Sequence, residues 1–558
     1  MSLPSRPYAS VPSIAQLVER RTVEQWVSLG RWARKNQNQF SLDVSFFLVE
    51  PELNPADRCR RKTSRRRSLH FAFLDGDFAL GRFFLCFFPP PLLRFWIFLF
   101  SESRPFSSLY KFGTACQLLK GNEMSNKPAI EQIKRPKMLC EGQRNRLPAD
   151  EYIHIETVSV WELLKPMLRW GAELFRMAMP VQVNEPLSFL QRLSENTLYS
   201  DLLIKANQSE DDVERIKLVS AFVVATISSN YKRLAKPFNP LLLETYELER
   251  NGVRYLAEQV SHHPPISAVY AESDDFVVEA VVSPTLGVNW TGMVAIPNAK
   301  LKLTLKRTGE TYTWDAPKCS ICNVVVGKMY MNFASDVTIK SSGKCLAELS
   351  FTGKGYSNPH GGSDLHVEGV IRKGDKPVTA LYGNWALYLA SCDYDLFKKN
   401  RKDYVKTFNE SLKAEDQAVI IPGSKTIWVA NVLPPLFDEQ FHLPYYVLSL
   451  NEIYEGMGDN LPPTDSRRRP DIRAFDEGYC DIAENVKRQL ENEQRERARN
   501  SVAQVPVWFE KDENGDWKYK GKYWNRKYAD SPDLFVNGNE VYLELVNLAR
   551  KAEERLTL

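Results

Sequence analysis

The 558-residue chain has only nine cysteines, scattered too thinly to form a disulfide framework, and this favours a reducing compartment. Cys319 and Cys322 make one C-x-x-C, but no second pair stands at zinc spacing, so two strand cysteines are the simpler reading and no metal is expected. The start of the chain lacks a basic stretch followed by an apolar core, so no secretory signal is expected. Neither sign of charge prevails, with 73 Lys and Arg against 69 Asp and Glu. Residues 1–120 hold 18 basic and 9 acidic side chains, which leaves 55 and 60 for the rest; a wholly basic, nucleic-acid-binding body is thereby disfavoured. There is no internal repeat, no G-x-S-x-G and no H-E-x-x-H, so the chain is not expected to be an enzyme. One aromatic run, Phe83 to Phe100, is long enough to suggest a membrane span. Pro89, Pro90 and Pro91 remove three backbone donors from it and Arg94 puts a charge near its middle, and both argue against a spanning helix.

What is present divides at about residue 124. Before Met124, apolar clusters alternate with the basic run Arg58–Arg67 without helical or strand periodicity, and residues 1–123 read as a disordered or non-native extension. Residues 124–151 read as a linker. From Val158 to Met179, Trp161, Leu164 and Leu168, then Leu163, Met167, Trp170 and Leu174, recur at helical spacing, with Pro166 as a kink or a true start and Pro180 as the stop. Helical patterning continues from Pro186 to about Leu234. Beyond Asn251 short strands take over: Leu301–Lys306 alternates strictly, and Phe276–Val282, Cys322–Gly327, Val337–Lys340, Cys345–Phe351, Val367–Ile371 and Trp385–Ala390 follow suit. So many short strands in series favour a barrel over a sandwich. A last helix is expected from about Asp481 to Arg499.

The most specific local feature is Glu258-Gln259-Val260-Ser261-His262-His263-Pro264-Pro265. Adjacent strand residues point to opposite faces, so for both imidazoles to serve one ligand the backbone must bend. The two prolines hold the stretch extended and poor in donors. Two imidazoles can donate to an anion and gain charge beside it; a structural loop is the plainer alternative.

This octapeptide resembles the signature of the oxysterol-binding proteins at every position. Asn184–Gln191 is similar to the family's helical opening segment, Lys236–Glu247 to its second signature, and Leu461–Asp471 and Trp517–Trp524 to later stretches. Leu243 departs, standing where many members have Gly. The resemblance covers about 400 residues and implies an α+β fold over residues 152–558: a large incomplete antiparallel β-barrel enclosing a lipid tunnel, a lid at about 152–185 and C-terminal flanking helices. It implies a phosphoinositide headgroup at the mouth, held by Lys236, Asn239, Glu244, His262, His263, Lys487, Glu491 and Arg495. The last three recur at i, i+4, i+8 and would share a helix face; Glu484/Arg488 and Glu493/Arg497 have the same spacing, so a solvated, ion-paired helix is the bland reading.

The implied function is non-enzymatic exchange of a sterol or phospholipid for a phosphoinositide between membranes, without cofactor or metal. The implied location is cytoplasmic and peripheral at intracellular membranes. A sterol hides a few hundred Å² of apolar surface, on the order of 10 kcal/mol gross, which suffices to offset lost bilayer contacts. The alternatives are a lipid-sensing scaffold that moves little lipid, and a lipid-directed enzyme with His262 or His263 as base. No pleckstrin-homology domain, ankyrin repeat or acidic two-Phe motif is read upstream of Tyr152, so a short, lipid-binding-domain-only form is expected.

Overall fold

The structure, a computed structural model, describes residues 127–137, 144, 146–149, 152 and 179–557, apart from 290–291, 325–327, 334, 352–363, 412–416, 458–459, 501–503 and 527–531. The chain divides into two units, residues 1–120 and 121–558, and everything described belongs to the second. The readings of residues 1–123, of Phe83–Phe100 and, but for its last residue, of the helix expected from Val158 to Met179 therefore lie outside the described residues.

One antiparallel sheet of twelve strands organises the molecule. In chain order it comprises β1 (Thr245–Arg250), β2 (Val253–His262), β3 (Pro265–Glu272), β4 (Phe276–Val282), β5 (Ala299–Leu305), β6 (Thr311–Asp315), β7 (Asp336–Ser341), β8 (Cys345–Ser350), β9 (His366–Lys373), β10 (Lys376–Asn384), β11 (Tyr388–Asp393) and β12 (Lys425–Val429). Each strand pairs with its predecessor and successor in this series, and β1 and β12 do not meet. The result is an open meander, an incomplete barrel as the strand density implied. Alternation drives it: Leu301, Leu303 and Leu305 of β5 are buried while Lys300 and Lys302 face out. A separate four-stranded sheet is formed by Thr285–Asn289, Gly292–Ile296, Cys319–Cys322 and Tyr330–Asn332. Around Val324 the half-buried Met179, Met293, Ile321 and Met329 form a soft apolar patch.

Helix α1 (Asp212–Ile227) begins with Asp211 accepting from the Val213 N–H and is apolar around most of its girth, because it lies against β8, β9, β11 and β12. Helix α2 (Tyr394–Ser411) covers β10 and β11 from the other side through Phe397, Tyr404, Val405 and Phe408. The C-terminal part supplies α3 (Pro470–Asp476), α4 (Cys480–Arg499) and α5 (Val536–Thr557). Between α4 and α5 a hairpin, Phe509–Lys511 with Trp517–Tyr519, sits on the outer face of β2 and β3, where Leu256, Val260 and Ala268 meet Trp508, Phe509 and Tyr523. Val253, Tyr255 and Ala257 on the opposite face of β2 join the main core. That strand is covered on both sides.

Several sequence expectations need correction. Pro186 to Ser188 is strand, not helix: Asn184–Ser188 pairs in parallel with Lys236–Phe238, and the first helix, Phe189–Leu193, starts on a Ser188/Gln191 capping box. The strand expected at Cys322–Gly327 ends at Cys322, where Asn323 takes φ +60°. The one expected at Trp385–Ala390 starts at Tyr388, because the Asn384 side chain accepts from the Ala386 N–H and turns the chain. Helix α2 has no counterpart among the expected elements. Among the described residues, no helix is long and apolar enough to cross a membrane.

Candidate functional site

The octapeptide forms the end of β2 and its turn into β3. The bend that two neighbouring histidines would need is made by a register shift between Gln259 and Ser261, which leaves Val260 as the extra residue of a bulge. His262 and His263 emerge with ring centroids 4.7 Å apart and planes at 70°. The Nδ1 of His262 is buried and has no partner among the described groups. Burial, and then the neighbouring His263, push the His262 pKa down to about 4, against the pull of hydrogen bonding with the Pro240 backbone and of Glu491. His262 is thus a neutral imidazole at pH 7, with a buried nitrogen left to serve a partner.

Lys236 opens the short strand Lys236–Phe238. Its side chain keeps contact with solvent but is ringed by protein. The ammonium pKa is pushed down to about 8, first by thinned hydration and then by Lys487, with Glu491 opposing. On α4, Lys487 Nζ lies 2.9 Å from Glu491, and Arg495 reaches the other oxygen of that carboxylate at 3.3 Å. Lys487 is almost wholly buried and also donates to the Met179 carbonyl at 2.9 Å. The pairs of equal spacing, Glu484/Arg488 and Glu493/Arg497, are looser at 3.6 and 3.8 Å. Of this row, Lys487 and Glu491 lie close enough to act on Lys236, and Glu491 on His262. Gln494, on the same helix, accepts from the Leu242 N–H and ties α4 to the loop after Lys236. The structure therefore brings Lys236, His262, His263, Lys487 and Glu491 together, with Arg495 at the outer end and the Asn239 side chain exposed beside them.

Glu244, expected to meet the headgroup, is placed differently from the rest. It is fully buried; one oxygen accepts from the hydroxyls of Ser188 and Ser466, the other from the Leu241 N–H and from Arg469. Both oxygens are engaged with protein, and the carboxylate thereby shapes the loop. Arg469 completes the knot by donating to the Asn239 carbonyl at 2.8 Å and pairing with Asp471. Leu243 closes this loop at φ +69°, a left-handed conformation costing roughly 1–2 kcal/mol for a residue with a side chain. Its side chain offsets that cost by packing with Leu241, Val486, Leu490, Leu534 and Phe535, a burial worth roughly 1.5–3 kcal/mol. Leu243, the departure noted in the sequence, thus clamps the loop to α4.

Sequence reasoning passed over three supporting residues. Arg469 lay inside a quoted motif but was given no part. Gln259 and Glu258 are polar positions in a strand buried on both faces, which was the signal available. The Glu258 carboxylate, its pKa raised to about 7 by burial against three backbone donors, gathers the N–H groups of Val507, Trp508 and Phe509 at 2.8, 3.0 and 3.1 Å. It anchors the C-terminal hairpin behind the histidines.

Comparison with known proteins gives one consistent picture. The family model described as "Oxysterol-binding protein" matches residues 159–528. Oxysterol-binding protein-related protein 1 of Rattus norvegicus is 38% identical over 411 residues, 68% of this chain but 42% of the relative, so the chain spans under half of that protein's length. Oxysterol-binding protein-related protein 2 of Mus musculus is 35% identical over 477 residues, 78% of this chain and 95% of the relative. Among solved structures, the Osh3 ORD of Saccharomyces cerevisiae in complex with PI(4)P aligns with a TM-score of 0.59 and 33% identity, covering 70% of this chain and 98% of that one. The Osh1 ORD domain in complex with cholesterol aligns with a TM-score of 0.59 and 28% identity, covering 71% and 93%.

Proposed function

The chain belongs to the oxysterol-binding protein family, and on that footing we propose that residues 152–558 form a lipid-transfer domain that exchanges a sterol or phospholipid for a phosphoinositide between membranes. The observation that carries this reading is the convergence of Lys236, His262, His263, Lys487, Glu491 and Arg495 from three remote stretches, with His262 Nδ1 buried and unpartnered. A phosphorylated inositol supplies what that group lacks. Its phosphate takes charge-assisted hydrogen bonds from Lys236, Lys487 and Arg495, each shorter and stronger than a neutral one. Its charge draws a proton onto His262, whose environment otherwise keeps it neutral. Asn239 and Glu491 serve the ring hydroxyls, and Glu244 with Arg469 holds the loop that presents Lys236 and Asn239. The acyl chains or the sterol occupy an apolar tunnel behind this rim, substituting for bilayer contacts without breaking any bond. Residues 152–185 act as its lid. The described end of that segment is fastened to α4 by Lys487 on the Met179 carbonyl and by Glu484 accepting from the Val181 N–H at 2.9 Å.

The protein works at the surface of membranes. The PI(4)P, cholesterol and ergosterol named for the neighbouring ORD structures are the ligand classes to try first. The test is extraction of phosphatidylinositol 4-phosphate and of a sterol from vesicles, followed by transfer between two vesicle populations. His262→Ala/His263→Ala is expected to lose phosphoinositide extraction at least about tenfold while keeping sterol binding. Unchanged phosphoinositide extraction overturns the assignment of the rim. Sterol binding without any transfer replaces the carrier by a sensing scaffold.

A further inference from the structure

Two residues of the octapeptide that are not candidate ligand groups, Gln259 and Ser261, place their side-chain hydrogen bonds around the bulge. Gln259 is almost wholly buried. Its Nε2 donates to the Ser261 carbonyl at 2.9 Å, and its Oε1 accepts from the Ser267 hydroxyl, across on β3, at 2.6 Å. The carbonyl can only accept, so it fixes which way round the amide lies. The Gln259 main chain is held as well, its N–H by the Glu244 carbonyl at 2.9 Å and its carbonyl by the Leu243 N–H at 3.0 Å. Two residues further on, the Ser261 hydroxyl spans the turn to the Pro264 carbonyl at 2.7 Å.

A bulge leaves backbone groups out of the ladder, and a bulge with nothing to hold it can slide or flatten. A slip of one residue on a strand sends every side chain to the other face. Here the outcome would be severe: His262 would exchange its place with His263 or Ser261, and its ring would leave the buried position near Glu491. The Gln259 amide spans the extra residue and ties both sides of it to β3.

We propose that Gln259, braced by Ser267, is a positioning residue that locks the Val260 bulge and so aims His262 and His263 at the headgroup. This rests on the headgroup reading above. Gln259 meets no ligand; its contribution is the direction of two rings. The same carboxamide couples the loop of Lys236 and Asn239 to the histidines, because its main chain pairs with Leu243 and Glu244 while its side chain governs Ser261.

The experiment compares Gln259→Met, Gln259→Glu and Ser261→Ala with the unaltered chain and with His262→Ala/His263→Ala. Each is assayed for extraction of phosphatidylinositol 4-phosphate and of sterol from vesicles, with imidazole NMR spectra of the seven histidines. Gln259→Met keeps the length but loses both hydrogen bonds; Gln259→Glu keeps the Ser267 contact and sets an oxygen against the Ser261 carbonyl. Both are expected to lower phosphoinositide extraction about tenfold, to leave sterol binding within about twofold, and to shift the signals of His262 and His263 but not of the other five. Half-buried Ser261→Ala, which leaves the interior intact, is expected to show a smaller loss in the same pattern and serves if the Gln259 variants fold poorly. Parallel loss of sterol and phosphoinositide marks a merely structural residue and overturns the proposal, as does unchanged extraction with unshifted histidine signals. Should His262→Ala/His263→Ala itself retain phosphoinositide extraction, the headgroup reading has failed, not the geometry of the bulge. Should it lose extraction while Gln259→Met does not, the positioning role alone has failed.

Discussion

Arg233 and Lys236 are three residues apart and belong to opposite kinds of charged site. Arg233 is fully buried and forms two-pronged pairs with Glu185 and Glu195, while Arg192 reaches the same Glu185, the Ala235 carbonyl and Asn230. Two cations face two carboxylates there, and the guanidinium of Arg233 is saturated. At the rim, Lys236, Lys487 and Arg495 share the single carboxylate of Glu491. The first set is neutral and closed, the second has cations to spare and an imidazole nitrogen without a partner. Charge content alone does not separate a scaffold from a binding site; its balance does. A balanced cluster gains nothing from an anion, whereas an unbalanced one is under electrostatic stress that an anion relieves.

The sharpest way to break this contrast is to unpair the closed cluster. Arg233→Met is expected to cost roughly 3–5 kcal/mol in urea unfolding, since two carboxylates are stranded in the interior. Phosphoinositide binding by the molecules that remain folded should not change, and a selective loss of that binding would show the two clusters to be one. A smaller effect on stability and a larger one on ligand is expected from Lys487→Met, about 10- to 100-fold weaker binding to phosphoinositide vesicles in a sedimentation assay. The melting temperature should move only slightly, because Glu491 retains Arg495. Equal damage to stability and binding would place Lys487 with the closed cluster. The mildest test uses pH. Lys236, with its pKa lowered to about 8, holds its proton below that value and sheds it above, so phosphoinositide affinity should fall as pH rises from 7 to 9. Lys236→Arg keeps its charge throughout and should flatten this part of the profile. A profile that is the same for both proteins would remove Lys236 from the site.

How much of this could be read in the sequence follows from the range of each interaction. The alternation of Leu301 to Leu305 and the apolar spacing of Val213 to Val223 report local geometry, and both elements stand where they were expected. The eight candidate residues follow from the resemblance alone; the structure brings Lys236, His262, His263, Lys487 and Glu491 near one another, with Arg495 on the far side of Glu491. Glu244 could not have been told apart, since a carboxylate bound by Ser188, Ser466 and Arg469 looks in sequence like one waiting for a ligand. Adjacent histidines demand a bend, but its form, a bulge at Val260, is set by the register of β2 against β3 and is not legible locally. Leu243 was read only as a departure; that its side chain repairs its own backbone strain needed the packing of α4 to be seen.

The meander has a kinetic corollary. Each strand of the large sheet joins its predecessor in the sheet's own series, so the barrel can be laid down in chain order, seven of the eleven steps closing turns of two to five residues and the other four spanning longer segments, one of which carries α2. The rim obeys another rule, since Lys236 and Lys487 are about 250 residues apart and their meeting must wait for α4. Synthesis therefore finishes the container before it finishes the lock.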